Sequence, residues 1–155
     1  MKIFQLISII IFFSSCATRH SEGSKLDSDD YATREDRIEK LNKVIKSYSA
    51  LKDAEFELFN VNGFDGSRTD VPGASSWDYK VAMKVDTADI TRWTEGFEEM
   101  PPNNYDQSWT KEITKQRSQN WITQSNPQYF YRTQGNVSIL VFQQEGIIFK
   151  RMLNL

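Results

Sequence analysis

The sequence predicts an α+β fold: a mostly antiparallel sheet of about five strands with two to three helices on one face. Three observations lead there. One long stretch with helical apolar spacing precedes every strand, a strictly alternating strand occupies the middle, and three strand-like runs close the chain in series. With 155 residues in all, the part from residue 33 to 155 reads as a single globular domain.

Thr33 opens that domain, and Asp36 three residues later approximates a capping box. Ile38, Leu41, Val44, Ile45, Tyr48 and Leu51 then recur at helical spacing, while Arg37, Lys40, Lys43 and Lys46 fill other positions. That pattern predicts an amphipathic helix of about five turns whose stripe docks on the protein's own sheet. Residues 56–61 read as a strand closed by Asn62-Gly63. In residues 77–85, Trp77, Tyr79, Val81, Met83 and Val85 point one way and Asp78, Lys80, Ala82 and Lys84 the other. One side of this strand is therefore expected in the core and the other in water. Thr87 is expected to cap a short helix carrying Ile90, Trp93 and Phe97, ended by Pro101-Pro102. Asp106 or Ser108 caps another, with Trp109 and Ile113 inward. Residues 129–133, 137–143 and 147–153 form a meander, joined through Gln134-Gly135-Asn136 and Glu145-Gly146. Since Tyr129, Phe130 and Tyr131 are consecutive on a strand, Phe130 faces opposite to the two tyrosines, a modest sign of a binding face.

Residues 63–76 hold Gly, Asp, Ser, Thr and Pro, with few apolar side chains, and predict a long surface loop. Phe64, Asp65, Arg68, Asp70 and Trp77 mix aromatic and charged groups in the manner of a recognition surface, and are the candidate binding residues. Asn62, Asp65 and Asp70 lack the alternate oxygen spacing of a regular calcium loop, so no metal is assigned.

Met1 to Cys16 is of another kind. Lys2 gives a positive start, residues 3–13 are apolar except for Gln5 and Ser8, and Ser14, Ser15 and Cys16 follow. This describes a secretory signal peptide over residues 1–15, too short for a membrane span of about 20 apolar residues. Phe13-Ser14-Ser15-Cys16 resembles the lipobox of bacterial lipoproteins. That resemblance implies cleavage before Cys16 and attachment of diacylglycerol to its sulfur, with palmitate-type acyl chains holding the protein at a membrane. Two or more chains anchor stably where one is marginal. Residues 16–32, rich in Ser, Asp and Glu, read as a flexible tether with a reach on the order of 20 Å. By the same resemblance, Ala17 in place of an aspartate points to the outer membrane if the envelope is Gram-negative.

Composition narrows the chemistry. The formal net charge is −2, and losing Lys2 with the signal leaves −3, which argues against a nucleic-acid partner. A single cysteine permits no internal disulfide. The one histidine, His20, lies in the tether, so Ser-His-Asp and Cys-His devices and His/Cys zinc sites have no residues to use. No Gly-rich phosphate loop is present, and no cofactor is implied. Carboxylates remain: Glu98, Glu99, Asp65, Asp70 and Asp78 could in principle pair for glycoside hydrolysis. The pattern of lipobox, tether and small α+β domain looks like the small lipoproteins of bacterial envelopes. The expectation is a non-enzymatic binding or accessory module for an envelope protein or wall polymer, with no catalytic residues. A carboxylate-dependent hydrolase and an inhibitor or immunity-type lipoprotein are the alternatives.

Overall fold

Seven antiparallel strands form one sheet, and the order in which they pair explains both its core and its open surface. The computed structural model describes residues 23–64, 76–101 and 105–154. The strands are β1 (Lys25–Asp27), β2 (Asp53–Asn60), β3 (Trp77–Lys84), β4 (Glu98–Met100), β5 (Gln128–Arg132), β6 (Val137–Phe142) and β7 (Ile147–Asn154). Their spatial order is β1-β2-β3-β7-β6-β5-β4, with every pairing antiparallel. The fold is α+β as expected, with seven strands rather than about five. The two extra ones, β1 and β4, are three residues each and sit at the two edges. Strands this short show no alternation to read, and short edges are a common guard against edge-to-edge association.

β1 also revises the boundary of the tether. Residues 25–32, expected to be part of a flexible segment, are ordered. Leu26 is buried, Tyr31 packs on the core, and a 3-10 turn over Ser28–Asp30 follows the strand. Backbone pairing with β2 supplies what side-chain composition alone does not. Residues 1–22, including Cys16 and His20, lie outside the described residues.

α1 (Arg34–Val44) begins as the sequence suggests, with Thr33 Oγ accepting from the Asp36 N–H at 3.1 Å and donating to the Asp36 carboxylate at 2.6 Å. It stops at about three turns, well before Leu51. Val44 and Ile45 are β-branched and weak in helices. Beyond them Tyr48 lies edge-on to Trp93 at 5.2 Å, and Ser49 Oγ accepts from the Trp93 indole at 2.9 Å. α2 (Ile90–Thr94) follows a 3-10 turn capped by Asp86, not by Thr87, and ends before Gly96, whose φ is 78°. The chain then enters β4, so the two prolines do not end this helix. α3 (Ser108–Ile113) runs on into a 3-10 stretch over Lys115–Trp121, broken at Arg117 (φ −127°, ψ 35°).

These helices lie on both faces of the sheet, not one. On the first face, α1 and α2 cover Phe56, Val81, Met83, Ile139, Val141 and Ile148. On the second, Trp109, Ile113 and Trp121 cover Ala82, Leu140, Phe142, Ile147 and Phe149. Phe149 anchors this second core, meeting the Trp109, Trp121 and Phe142 rings at 6.1, 6.4 and 6.0 Å. Such pairs add about 0.5–1.5 kcal/mol each beyond burial. Val81, Met83 and Val85 are buried as the alternation predicts, and Tyr79 packs against them. The opposite side of β3 is not all in water, because Ala82 is fully buried and Lys84 lies 5.6 Å from the Trp121 ring centre.

Turns behave as their residues demand. Gly146 (φ 65°) lies so close to β3 that an added Cβ would stand 2.5 Å from the Val85 carbonyl oxygen, while its own carbonyl accepts from Val85. In the same turn, the Glu145 carboxylate accepts from the N–H groups of Gln124 and Ser125 and from the Ser125 hydroxyl. These bonds, the hydroxyl's first, bring its pKa down to about 2. Among the described residues no helix is long and apolar enough to cross a membrane.

Candidate functional site

Among the described residues, the second face is half covered. Because paired residues share a face, the register aligns one side chain from each strand into a row: Asp27, Glu57, Lys80, Arg151, Ser138, Tyr131 and Glu98. The neighbouring row, with Ala82, Phe149 and Leu140, lies under α3 and the 3-10 stretch. The polar row lies beyond that cover. Lys80 sits 3.6 Å from Glu57, and Arg151 makes a two-pronged pair with Asp78, Nε to Oδ1 at 2.9 Å and Nη2 to Oδ2 at 2.8 Å. Asp78 is in the next row out, opposite Leu153.

Where the polar row meets the start of α3 there is a cleft of about 190 Å³. Tyr105, Trp109, Tyr129 and Tyr131 supply aromatic surface, and Ser138, Asn136, Asp106 and Arg151 supply polar groups. Tyr105 stacks on Tyr129 with ring centres 4.3 Å apart and stands edge-on to Trp109 at 6.5 Å. The Tyr131 hydroxyl donates to Asn136 Oδ1 at 3.0 Å. The Tyr105 hydroxyl is buried beside Ser138 and Trp109, yet makes no hydrogen bond of normal geometry. Burial pushes its pKa up to about 12 despite those two neighbours, and burial also raises that of Tyr129. Asp106 accepts from the Ser108 N–H at 2.9 Å, which fixes the entry to α3 and holds its carboxyl below the ordinary range.

Among the described residues, four buried charged side chains, Arg37, Asp53, Glu55 and Lys150, lie elsewhere. At the β1 edge, Glu55 accepts from Arg117 at 2.6 and 3.0 Å and from Ser28 at 2.7 Å, with Arg37 at 3.6 Å. Arg37 also donates to Asp53 at 2.9 Å and to the Ala54 carbonyl at 2.9 Å, while the Ala54 N–H reaches Asp53 at 2.8 Å. The part of β2 that β1 leaves unpaired is thus closed by side chains. On the first face, Lys150 is 7% exposed, between Val81 and Ile139, with its Nζ 5.8 Å from the Tyr48 ring centre. Burial, and secondarily Arg132, lower its pKa to about 8.

The candidate residues read from sequence do not coincide with the cleft. Phe64 and Trp77 flank Tyr79 on the first face, at 5.8 and 5.4 Å. Asp65, Arg68 and Asp70, with most of the 63–76 loop, lie outside the described residues. Glu98 and Glu99 lie on β4, not at a helix end, and project to opposite faces. The split between Phe130 and its neighbouring tyrosines is as expected: Phe130 joins the first core, and Tyr129 and Tyr131 border the cleft. Tyr105, Ser138 and Arg151 carried no sequence signal, since only the register brings β6, β7 and the approach to α3 together. No protein-family model matches the chain, and neither a curated protein nor a solved structure does.

Proposed function

We propose that this chain is a lipid-anchored lipoprotein of the bacterial cell envelope, on the outer membrane where there is one. Its folded domain is a non-enzymatic binding or accessory module for an envelope protein or wall component. Phe13-Ser14-Ser15-Cys16 supports the anchor. The observation that carries the binding reading is the second face, whose apolar half is covered and whose polar half opens beside an aromatic cleft.

The hydrolase alternative draws less support. Glu98 and Glu99 face apart, and Asp78 is engaged by both prongs of Arg151, so these carboxylates do not converge on one bond. The sequence's one histidine, His20, lies outside the described residues and supplies no support for that reading. Metabolic labelling with an alkynyl palmitate tests the anchor. The wild-type chain takes the label and partitions into detergent, whereas Cys16→Ser does neither. An unlabelled wild-type chain that stays in the aqueous phase rejects the proposal.

A further inference from the structure

We infer that the cleft between α3 and the β5–β6–β7 meander binds one pyranose unit of a glycan chain. This rests on the binding reading above and names its ligand class. The ligand's size follows from a cavity of about 190 Å³, room for one small ring. Its charge follows from the walls. Among the described lining residues Arg151 is the one cation and it is paired with Asp78, while Asp106 at the rim opposes an anion further. The lining thus holds one paired guanidinium and one carboxylate, and selects neither an anion nor a cation.

The walls also say that the ligand is both apolar and polar. Tyr105, Trp109, Tyr129 and Tyr131 are held by ring contacts and by the Tyr131–Asn136 bond, so little side-chain freedom is lost on binding. Such rings suit the C–H face of a sugar. Around them stand groups that donate, accept or do both: the Ser138 hydroxyl, the Asn136 amide, the Asp106 carboxylate and the Arg151 fork. Sugar hydroxyls also donate and accept, and match this mixture. A hydrocarbon ligand would strip water from it without return. The Tyr105 hydroxyl, buried beside Ser138 and Trp109 in the cleft wall, has no hydrogen bond of normal geometry there, so a sugar hydroxyl seated against it and Ser138 improves its bonding.

The row Tyr131–Ser138–Arg151–Lys80–Glu57 leads away from the cleft across the sheet. A polymer with one unit seated in the cleft could continue along it, which favours a glycan chain over a free monosaccharide.

The test is a titration of the full-length chain in detergent with tri-N-acetylchitotriose and with maltotriose, followed by tryptophan fluorescence. Binding of either trisaccharide is expected, and the preferred one separates an amino-sugar wall glycan from a plain glucan. Tyr131→Ala should weaken it by about tenfold. Tyr105→Phe keeps the ring and should weaken it severalfold while leaving the melting temperature unchanged or raised. Binding of neither trisaccharide, or binding that neither variant weakens, overturns the inference. Failure here with the palmitate label intact removes the sugar and leaves the anchored module. Sugar binding without the label does the reverse.

Discussion

Lys150 shows how a single side chain can work against the fold that holds it. It stands in the middle of the sheet, 7% exposed, with the Tyr48 ring near its charge and Arg132 repelling it. Its folded pKa of about 8 lies below the ordinary 10.5. Between those values the unfolded chain keeps a proton that the folded chain has lost, so stability climbs with pH across this window. Below pH 8 the penalty is fully present, on the order of 3 kcal/mol. Lys150→Met should therefore raise the melting temperature at pH 7 and abolish the rise in stability between pH 8 and 10.5. Urea titrations of both proteins across that range measure it, and a wild-type midpoint that is flat with pH contradicts it. Nothing in the sequence marks Lys150 or Arg37. Each occupies a position where period and composition suggest a solvated cation, and only the register of β7 and the open edge of β2 bury them.

At the scale of elements, the molecule depends on polar bonds where its strands are too short to hold by pairing alone. Arg117 ties Glu55 to the Ser28 carbonyl at 3.0 Å and to Asp29 at 3.3 Å, fastening the segment after β1 to β2. Arg117→Ala leaves Glu55, 1% exposed, without its best partner and should cost about 3 kcal/mol. Hydrogen exchange should show the amides of β1 opening first, whereas Lys115→Ala on the exposed side of the same stretch changes neither. Equal protection of β1 in both variants would show that the network does not hold the edge. Glu145 does a similar task for residues 124–125. Its folded pKa of about 2 lies below the ordinary 4.5, so its contribution is present above pH 4.5 and fades as pH falls toward 2. Glu145→Gln should consequently narrow the stability gap to wild type on acidification, as thermal melts from pH 6 to pH 2 would register. The long strands and the meander were legible because alternation and Gly turns are local. The end of α1 and the two edge strands were not, because each is decided by a distant partner. For α1 that partner is Trp93, which holds Ser49 and Tyr48 outside the helix.

For the whole molecule, what matters most is where β7 lies. β7 lies between β3 and β6, so the two parts of the sheet are joined to each other through it. The unbroken apolar runs Ile139-Leu140-Val141-Phe142 and Ile147-Ile148-Phe149 were the sequence's sign that both faces of these strands are covered. The single alternating strand, β3, suggested one covered face and hid the second core. The open half of the second face was illegible for the same reason, since it is a difference between rows that only the register defines. Topology then makes a prediction that separates centre from edge. Removing residues 147–155 should abolish cooperative unfolding, because it deletes Ile147, Ile148 and Phe149 from two cores and leaves the facing edges of β3 and β6 unpaired. Among the described residues, removing residues 1–27 takes away an edge strand of three residues and one buried leucine, so a cooperative transition should survive at a lower urea midpoint. Because the closing contacts join distant parts of the chain, refolding of the intact protein belongs in the millisecond-to-second range. Circular dichroism during urea titration compares the two truncations. A sharp transition in the chain lacking 147–155, or none in the chain lacking 1–27, would show that the sheet is not closed at its centre.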